Sequence, residues 1–290
     1  MTTPLISVLM TAYNRQDYIA AAIESVLASS YKNFELIICD DCSADNTVQV
    51  ARQYAAKDAR VKVFINETNL GDYPNRNKAA AYASGKYIKY VDADDLIYPW
   101  GLQLLLECME QFPGAGWGLC SLEQDNEQQY PFQLQPPDIF RYHYFNRSIL
   151  HKAPLSSIIN REVFMAAGGF TGRQHLGDVE LWHLLAEAYP LVLMPHGMVW
   201  HRQHSAQQSH QNRTNPLVPF KYLVSALHYF QGAGGRAIAG SEKQKIIQLL
   251  QRRINKAFIL RLRKLQLSTV FEMKRMLANK QYTFGHMQQL

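Results

Sequence analysis

The densest cluster of chemistry-bearing side chains is Asp92-Ala93-Asp94-Asp95, directly after the apolar run Lys86–Val91. In extended chain, residues two apart face the same side, so Asp92 and Asp94 could aim two carboxylates at one point. Hard oxygen ligands of this kind suit Mg²⁺ or Mn²⁺, which bind through one or two carboxylates and fill their shell with water and phosphate oxygens. A cation there would neutralise a departing diphosphate. Taken alone, the same tetrapeptide is also an ordinary acidic turn ahead of a helix.

Other polar groups fall at the ends of other apolar runs. Asp40-Asp41 follows Phe34–Cys39, where a carboxylate could accept hydrogen bonds from a base or ribose. The segment Thr11-Ala12-Tyr13-Asn14-Arg15 follows the first run; Tyr13 could stack on a base and Arg15 could approach phosphate. It contains no G-x-G-x-x-G, which argues against a standard dinucleotide site. Arg76 and Asn77, at the opening of a helix, could bring charge and donors to a diphosphate, although a solvated helix residue would look the same. Cys39 and Cys42 make a lone C-x-x-C with no second ligand pair at zinc spacing.

These groups need elements to position them. Strand-length apolar runs at Leu5–Met10, Phe34–Cys39, Val61–Ile65 and Lys86–Val91 alternate with helical periodicity at Gln16–Ser29, Ala44–Lys57, Asn75–Ser84 and Pro99–Phe112. This order predicts an α/β fold with a mainly parallel central sheet and helices on both faces. Ligands gather outside the carboxyl ends of such strands, where the groups above lie. Residues 121–155, rich in Gln, Pro and aromatics, read as mostly irregular. Strands are expected at Ser156–Asn160, Leu191–Leu193 and Met198–His201. Helices are expected at Arg161–Ala167, from near Asp178, at Phe220–Phe230, and as one segment over Glu242–Met276.

A hydrophobic fraction of 47% with 19% charged residues supplies a real core. No apolar run approaches the roughly 20 residues of a spanning helix, and the first residues lack the features of a signal peptide. Four cysteines suggest a reducing compartment, so a cytoplasmic protein is expected. The net charge of +6 is concentrated in residues 241–290, which hold eleven Lys/Arg against Glu242 and Glu272. There Ile246, Ile247, Leu249, Leu250, Ile254, Phe258, Ile259 and Leu262 recur at near-helical spacing. The stripe could pack on the domain, join a homo-oligomer, or lie on an anionic membrane as a peripheral contact. Nucleic acid is the least expected partner, since no aromatic-interleaved basic face or known motif accompanies the charge, and none is expected.

Taken together, Ser7-Val8-Leu9-Met10-Thr11-Ala12-Tyr13-Asn14, Ile38-Cys39-Asp40-Asp41-Cys42-Ser43-Ala44-Asp45, Asn69-Leu70-Gly71 with Arg76-Asn77, and Gly85-Lys86-Tyr87-Ile88 leading to Asp92-Ala93-Asp94-Asp95 resemble the inverting family-2 glycosyltransferases of the glycosyltransferase A-type (GT-A) fold. The resemblance extends to about Ser209. It implies an enzyme that moves a sugar from a nucleotide-diphosphate donor, a UDP-sugar, to a glycan or lipid-linked acceptor with Mn²⁺ or Mg²⁺ bound. Thr11, Tyr13 and Arg15 would line the nucleotide pocket, Asp41 would contact the base, and Asp92 the ribose or a metal-bound water. Asp94, or Asp95 in a shifted loop, would hold the metal. Gly168-Gly169-Phe170 and Gly177-Asp178-Val179-Glu180-Leu181-Trp182 continue the likeness: Asp178 falls where the family places its catalytic base, with Glu180 as an alternative base or acceptor contact. His175 could contact acceptor or donor sugar. Arg202 and His204 resemble a segment closing over the donor phosphates, with His204 as a metal or phosphate ligand. Two positions depart from the family: Cys42 stands where Gly is usual, and Gly177 where Glu is usual.

The expected organisation is a catalytic domain at 1–212, with a nucleotide-binding half to 112 and an acceptor-binding half from 113, followed by a basic helical extension at 213–290. A glycoside hydrolase would require two opposed carboxylates and no nucleotide pocket. A non-catalytic nucleotide-sugar or membrane-surface binding protein, acting through the basic tail, is the remaining alternative.

Overall fold

In the computed structural model, which describes residues 3–204 and 215–279, the apolar runs become strands of one eight-stranded sheet. β1 (Ile6–Ala12), β2 (Phe34–Asp40), β3 (Val61–Ile65) and β4 (Tyr87–Tyr90) pair in parallel, in the order β3-β2-β1-β4. The helices α1 (Ile19–Leu27), α2 (Thr47–Ala55) and α3 (Asp72–Ala81) connect them. β1 and β2 are buried nearly end to end because both faces of the sheet are covered. Side chains alternate between two apolar clusters: Leu9 and Ile37 pack with Ala79 and Ala80 of α3, while Val8, Met10 and Ile38 pack with Ile19 and Ile23 of α1.

The chain runs outward from β1 to β3 and then adds β4 on the other side of β1. The carboxyl ends of β1 and β4 therefore lie side by side at a switch point, where open α/β sheets leave a crevice. Next come β5 (Leu96–Ile97), α4 (Gly101–Glu110), β6 (Trp117–Leu122), β7 (Phe132–Leu134), α5 (Pro136–Arg141), β8 (Ser157–Asn160), α6 (Arg161–Ala166), α7 (Gly177–Ala188), β9 (Leu191–Pro195) and β10 (Val199–Trp200). The sheet continues β8-β6-β9-β7, with β8 antiparallel to β4 and β6 and β7 antiparallel to β9. Residues 121–155, expected to be mostly irregular, thus supply the end of β6, all of β7 and α5. β5 and β10 form a separate antiparallel pair that ties the chain after Asp95 to the chain before His201.

Three helices follow: α8 (Leu217–Gln231), α9 (Gly240–Arg263) and α10 (Leu267–Ala278). The single helix expected over Glu242–Met276 is broken at Lys264–Gln266. The Leu265 N–H bonds the Leu262 carbonyl and the Gln266 N–H bonds that of Arg261, closing α9 in a Schellman motif with Leu265 at φ +54°. Ile246, Ile247, Leu250 and Ile254 are buried in the same cluster as Trp182 and Phe230, so most of the apolar stripe seen in the sequence packs inside the protein. Among the described residues no helix is long and apolar enough to cross a membrane. The expected boundary at 212/213 and the end of the basic tail, 280–290, lie outside the described residues.

Polar contacts bolt α7 to α8. Glu187 accepts the N–H groups of Ala237 and Gly235, each at 2.8 Å, and the Tyr229 hydroxyl. The buried Glu180 accepts the Ser225 hydroxyl at 3.1 Å, pairs with Arg173 and accepts from Thr171. Hydrogen bonds to a charged group contribute roughly 1.5–3 kcal/mol each. Glu187→Ala should therefore lower unfolding free energy by about 2 kcal/mol or more in urea titrations and speed amide exchange in 232–239. Unchanged exchange there would show that the contact does not hold the segment.

Candidate active site

Thr11 and Asp92 meet across the β1–β4 seam, where the Thr11 hydroxyl donates to Asp92 Oδ1 at 3.2 Å. Arg76, reaching from α3, grips the same carboxylate with both terminal nitrogens (Nη1–Oδ1 2.6 Å, Nη2–Oδ2 2.9 Å) and holds Asp72 through Nε at 2.8 Å. Burial pushes the Asp92 carboxyl up in pKa, but the Arg76 charge, its bidentate bond and Thr11 bring the net shift below the usual range. Arg76, expected at the diphosphate, is instead buried and committed to two aspartates.

Asp94 Oδ2 accepts from Arg15 Nε at 2.9 Å and lies 3.1 Å from His204 Nε2. The His204 ring stacks on Tyr18 with 4.5 Å between centroids. Arg202 closes the turn by donating its N–H to Asp95 Oδ1 and its Nε to the Asp94 carbonyl, both at 2.9 Å. Its guanidinium also sits over the rings of Tyr18 and Trp200. Burial, with Asp92 and Asp94 close by, raises the Asp95 carboxyl. The expected trio of Asp94, Asp95 and His204 therefore splits: Asp94 and His204 face each other, while Asp95 turns to the Arg202 backbone. Ala93 is buried and contributes its N–H to the Thr11 carbonyl at 3.3 Å.

Asp41 builds the neighbouring wall. Its Oδ1 accepts the Leu70 N–H and the Asn66 amide, each at 2.8 Å, and its Oδ2 accepts the Gly71 N–H at 2.9 Å. Tyr13 leaves 47% of its surface exposed beside it. Cys42 does adopt φ +66°, a conformation that favours Gly, at a cost of the order of 1 kcal/mol. Asp40 faces away and accepts from the Ser43 N–H at 2.8 Å and from the Ser43 hydroxyl.

The remaining wall comes from α7, α8 and the loop before α7. Asp178 lies in the first turn of α7, where burial pushes its carboxyl up to about 6 against hydrogen bonds from the Val179 N–H and Tyr73. His175 holds φ +68°. A Cβ on Gly177 would stand 2.7 Å from the Tyr73 ring. The ring occupies the space that any side chain at 177 would need, which accounts for the glycine here. Asn77 pins Phe170 through its N–H (2.9 Å) and carbonyl (2.8 Å), and Glu180 faces α8, so neither reaches the cleft.

Thr11, Tyr13, Arg15, Asp41, Arg76, Asp92, Asp94, Asp95, His175 and Asp178 line one cleft of about 890 Å³. Asp72, Tyr73, His151, His201 and Tyr222 join them without having been singled out as site residues in the sequence. Tyr222 had no signal at all, because it arrives on α8 from beyond the motif-bearing region.

Among the described residues no three His, Cys, Asp or Glu side chains converge on one point. A fully protein-made metal cage is therefore absent there. Asp94 opens on the cleft, while His204, 3.1 Å from it, is not among the lining residues; one carboxylate completed by water and substrate phosphates is a donor set that suits Mg²⁺ or Mn²⁺.

Residues 7–168 match the family described as Glycosyl transferase family 2. WcaA of Escherichia coli K12, which its name provisionally assigns to colanic acid biosynthesis as a glycosyl transferase, is 30% identical over 261 residues, covering 86% of this chain and 88% of WcaA. WfgD of Escherichia coli, named as a UDP-Glc:alpha-D-GlcNAc-diphosphoundecaprenol beta-1,3-glucosyltransferase, is 39% identical over 105 residues, 36% of this chain and 41% of WfgD. The chain spans about two fifths of the length of WfgD and of other relatives matched at similar identity. Staphylococcus aureus TarS 1–349, solved with UDP-GlcNAc, superposes with a TM-score of 0.70 at 18% identity, covering 94% of this chain and 78% of that one. The mannosyltransferase PcManGT of Pyrobaculum calidifontis, solved with GDP-Man and Mn²⁺, gives 0.61 at 15% identity, covering 97% and 85%. The shared fold is GT-A.

Adding a methyl to a filled core costs about 1–3 kcal/mol. Gly177→Ala should show that loss in urea denaturation and a smaller one in a Tyr73→Ala background. Equal losses in both would mean that the ring does not fill the space.

Proposed function

The chain belongs to glycosyl transferase family 2, and from that premise we propose that it moves a sugar from a UDP-sugar to a hydroxyl of a glycan or lipid-linked acceptor, with inversion at the anomeric carbon. That it is a glycosyltransferase follows from the family match and its named relatives, and the GT-A fold from the superpositions. The proposal adds the donor, the acceptor class and the roles of residues. One observation carries it: a half-buried carboxylate of raised pKa, Asp178, lines the same cleft as the Asp92–Asp95 turn.

Tyr13 stacks on the base, and Asp41 and Thr11 hold the wall against the nucleoside. Arg15 exchanges Asp94 for a donor phosphate, leaving the Asp94 carboxylate and His204 as the pair that would hold Mn²⁺ or Mg²⁺. Such a cation, when bound, offsets negative charge on the leaving diphosphate. Arg76 keeps Asp92 ionised and fixed beside the ribose.

On the other side of the reaction, Asp178 accepts the proton of the acceptor hydroxyl as its oxygen bonds to the anomeric carbon. The bond from that carbon to the diphosphate breaks, and its electron pair leaves with the nucleoside diphosphate. One displacement from the face opposite the leaving group inverts the centre. A pKa near 6 makes Asp178 a better base than an exposed aspartate while leaving it ionised at neutral pH. His175 and Tyr222 bound the acceptor side.

The donor and acceptor in the name of WfgD and the UDP-GlcNAc held by TarS support a UDP-sugar and a lipid-linked acceptor, and the Mn²⁺ of PcManGT supports the cation. The four free thiols suit the cytoplasmic side of a membrane.

kcat/KM should fall about tenfold per unit as pH drops below roughly 6 and level off above it. Asp178→Asn should keep donor binding while transfer drops about 10²–10⁴-fold; full activity would remove Asp178 from the base role. The sign for stability is opposite. Folded Asp178 holds its proton more tightly than in the unfolded chain, so its stabilising contribution is present at low pH and is lost as pH rises toward 6. Asp178→Asn should then resist urea better than the native chain above that pH.

A further inference from the structure

The elbow between α9 and α10 leaves apolar side chains in solvent. Leu265 is 82% exposed, Phe271 67%, Leu267 64% and Leu262 47%. They are not scattered. Leu262 and Leu265 flank the end of α9, and Leu267 and Phe271 fall four apart on α10, on the face away from its buried Val270, Met273 and Met276.

Leu265 is also in the wrong conformation for its type. The C′ position of a Schellman motif has φ > 0 and is usually Gly, since a Cβ there is strained. At φ +54° this chain places a leucine that keeps 82% of its surface exposed. Strain and exposure both count against the isolated molecule, so an external apolar phase is the natural recipient of that side chain.

Charge identifies the phase. Arg261, Arg263 and Lys264 frame the tip, and Lys274 and Arg275 continue the outer face of α10. Glu272, the one acidic residue in the sequence between 243 and 290, is paired with Arg275 at 2.9 Å. Leucines and a phenylalanine ringed by basic side chains complement an anionic bilayer, in which apolar groups sink to the acyl boundary and cations meet headgroups.

We propose that the α9–α10 elbow, and not the α9 stripe that packs on the core, seats this protein on an anionic phospholipid surface. The inference goes beyond the donor and acceptor roles and stands on separate observations, so either can fail without the other.

The test is co-sedimentation of the full chain with phosphatidylcholine vesicles, with and without phosphatidylglycerol, at low and high salt. Binding should require phosphatidylglycerol and weaken in salt. Leu265→Gly combined with Phe271→Ser should weaken it roughly tenfold or more, as should Arg263→Glu with Lys264→Glu. Leu265→Gly alone should hold or raise the urea midpoint, which separates lost binding from lost folding. The proposal is overturned if the native chain stays in the supernatant with phosphatidylglycerol vesicles at low salt, or if the folded variants bind as well as it does. It is also overturned if the apolar substitutions instead convert a dimer to a monomer in sedimentation velocity, since a second copy would then cover the elbow.

Discussion

Three carboxylates within four residues repel one another, and the end of β4 can hold them only because cations are brought in from elsewhere in the chain. Arg76 is the central one. It holds Asp92 bidentately and Asp72 singly, and it lies against the Tyr90 ring while its carbonyl accepts the Tyr90 hydroxyl. An uncompensated buried charge costs about 3–5 kcal/mol, so α3 must dock with its arginine on the β4 side for the seam to close. Arg15 and Arg202 then arrange Asp94 and Asp95 differently: one carboxylate opens on the cleft and the other is fastened to backbone.

The far side of the cleft depends on α7. Its first turn carries Asp178, and its later turns are tied to α8 by Glu180, Glu187 and the His183 backbone. The C-terminal helix α8 therefore forms part of the site wall through Val218, Pro219 and Tyr222. Gly177 lets the Tyr73 ring lie against the α7 backbone, joining the helix of the proposed base to the helix of Arg76 through one contact. The partial burial of Asp178 against this packing is what raises its carboxyl.

Much of this was legible in the sequence. The four parallel strands were strongly patterned, and Val61–Ile65 matched to the residue. The strand-end rule alone brings Thr11, Asp41, Asp92 and Asp94 together, and they line one cleft. Local pattern could not show long-range pairing. Asn77 looked like a phosphate ligand because its partner, Phe170, is far away in sequence. Glu180 sat beside Asp178 in sequence but turns to Ser225 on a helix the motifs do not reach. The break in the basic helix was invisible because a leucine, and not a glycine, occupies the left-handed position. The strands and helix within 121–155 were masked by proline and glutamine, whose order comes from pairing with β9.

The central claim is that the donor diphosphate and a divalent cation meet at Asp94. Calorimetric titration of a UDP-sugar into the protein, with and without Mn²⁺, tests it most directly when repeated on Asp94→Ala. The account predicts donor affinity that rises about tenfold or more with Mn²⁺ in the native chain, with the gain absent in the variant. Equal donor affinity with and without the cation, or a Mn²⁺ effect that survives loss of the Asp94 carboxylate, would contradict it.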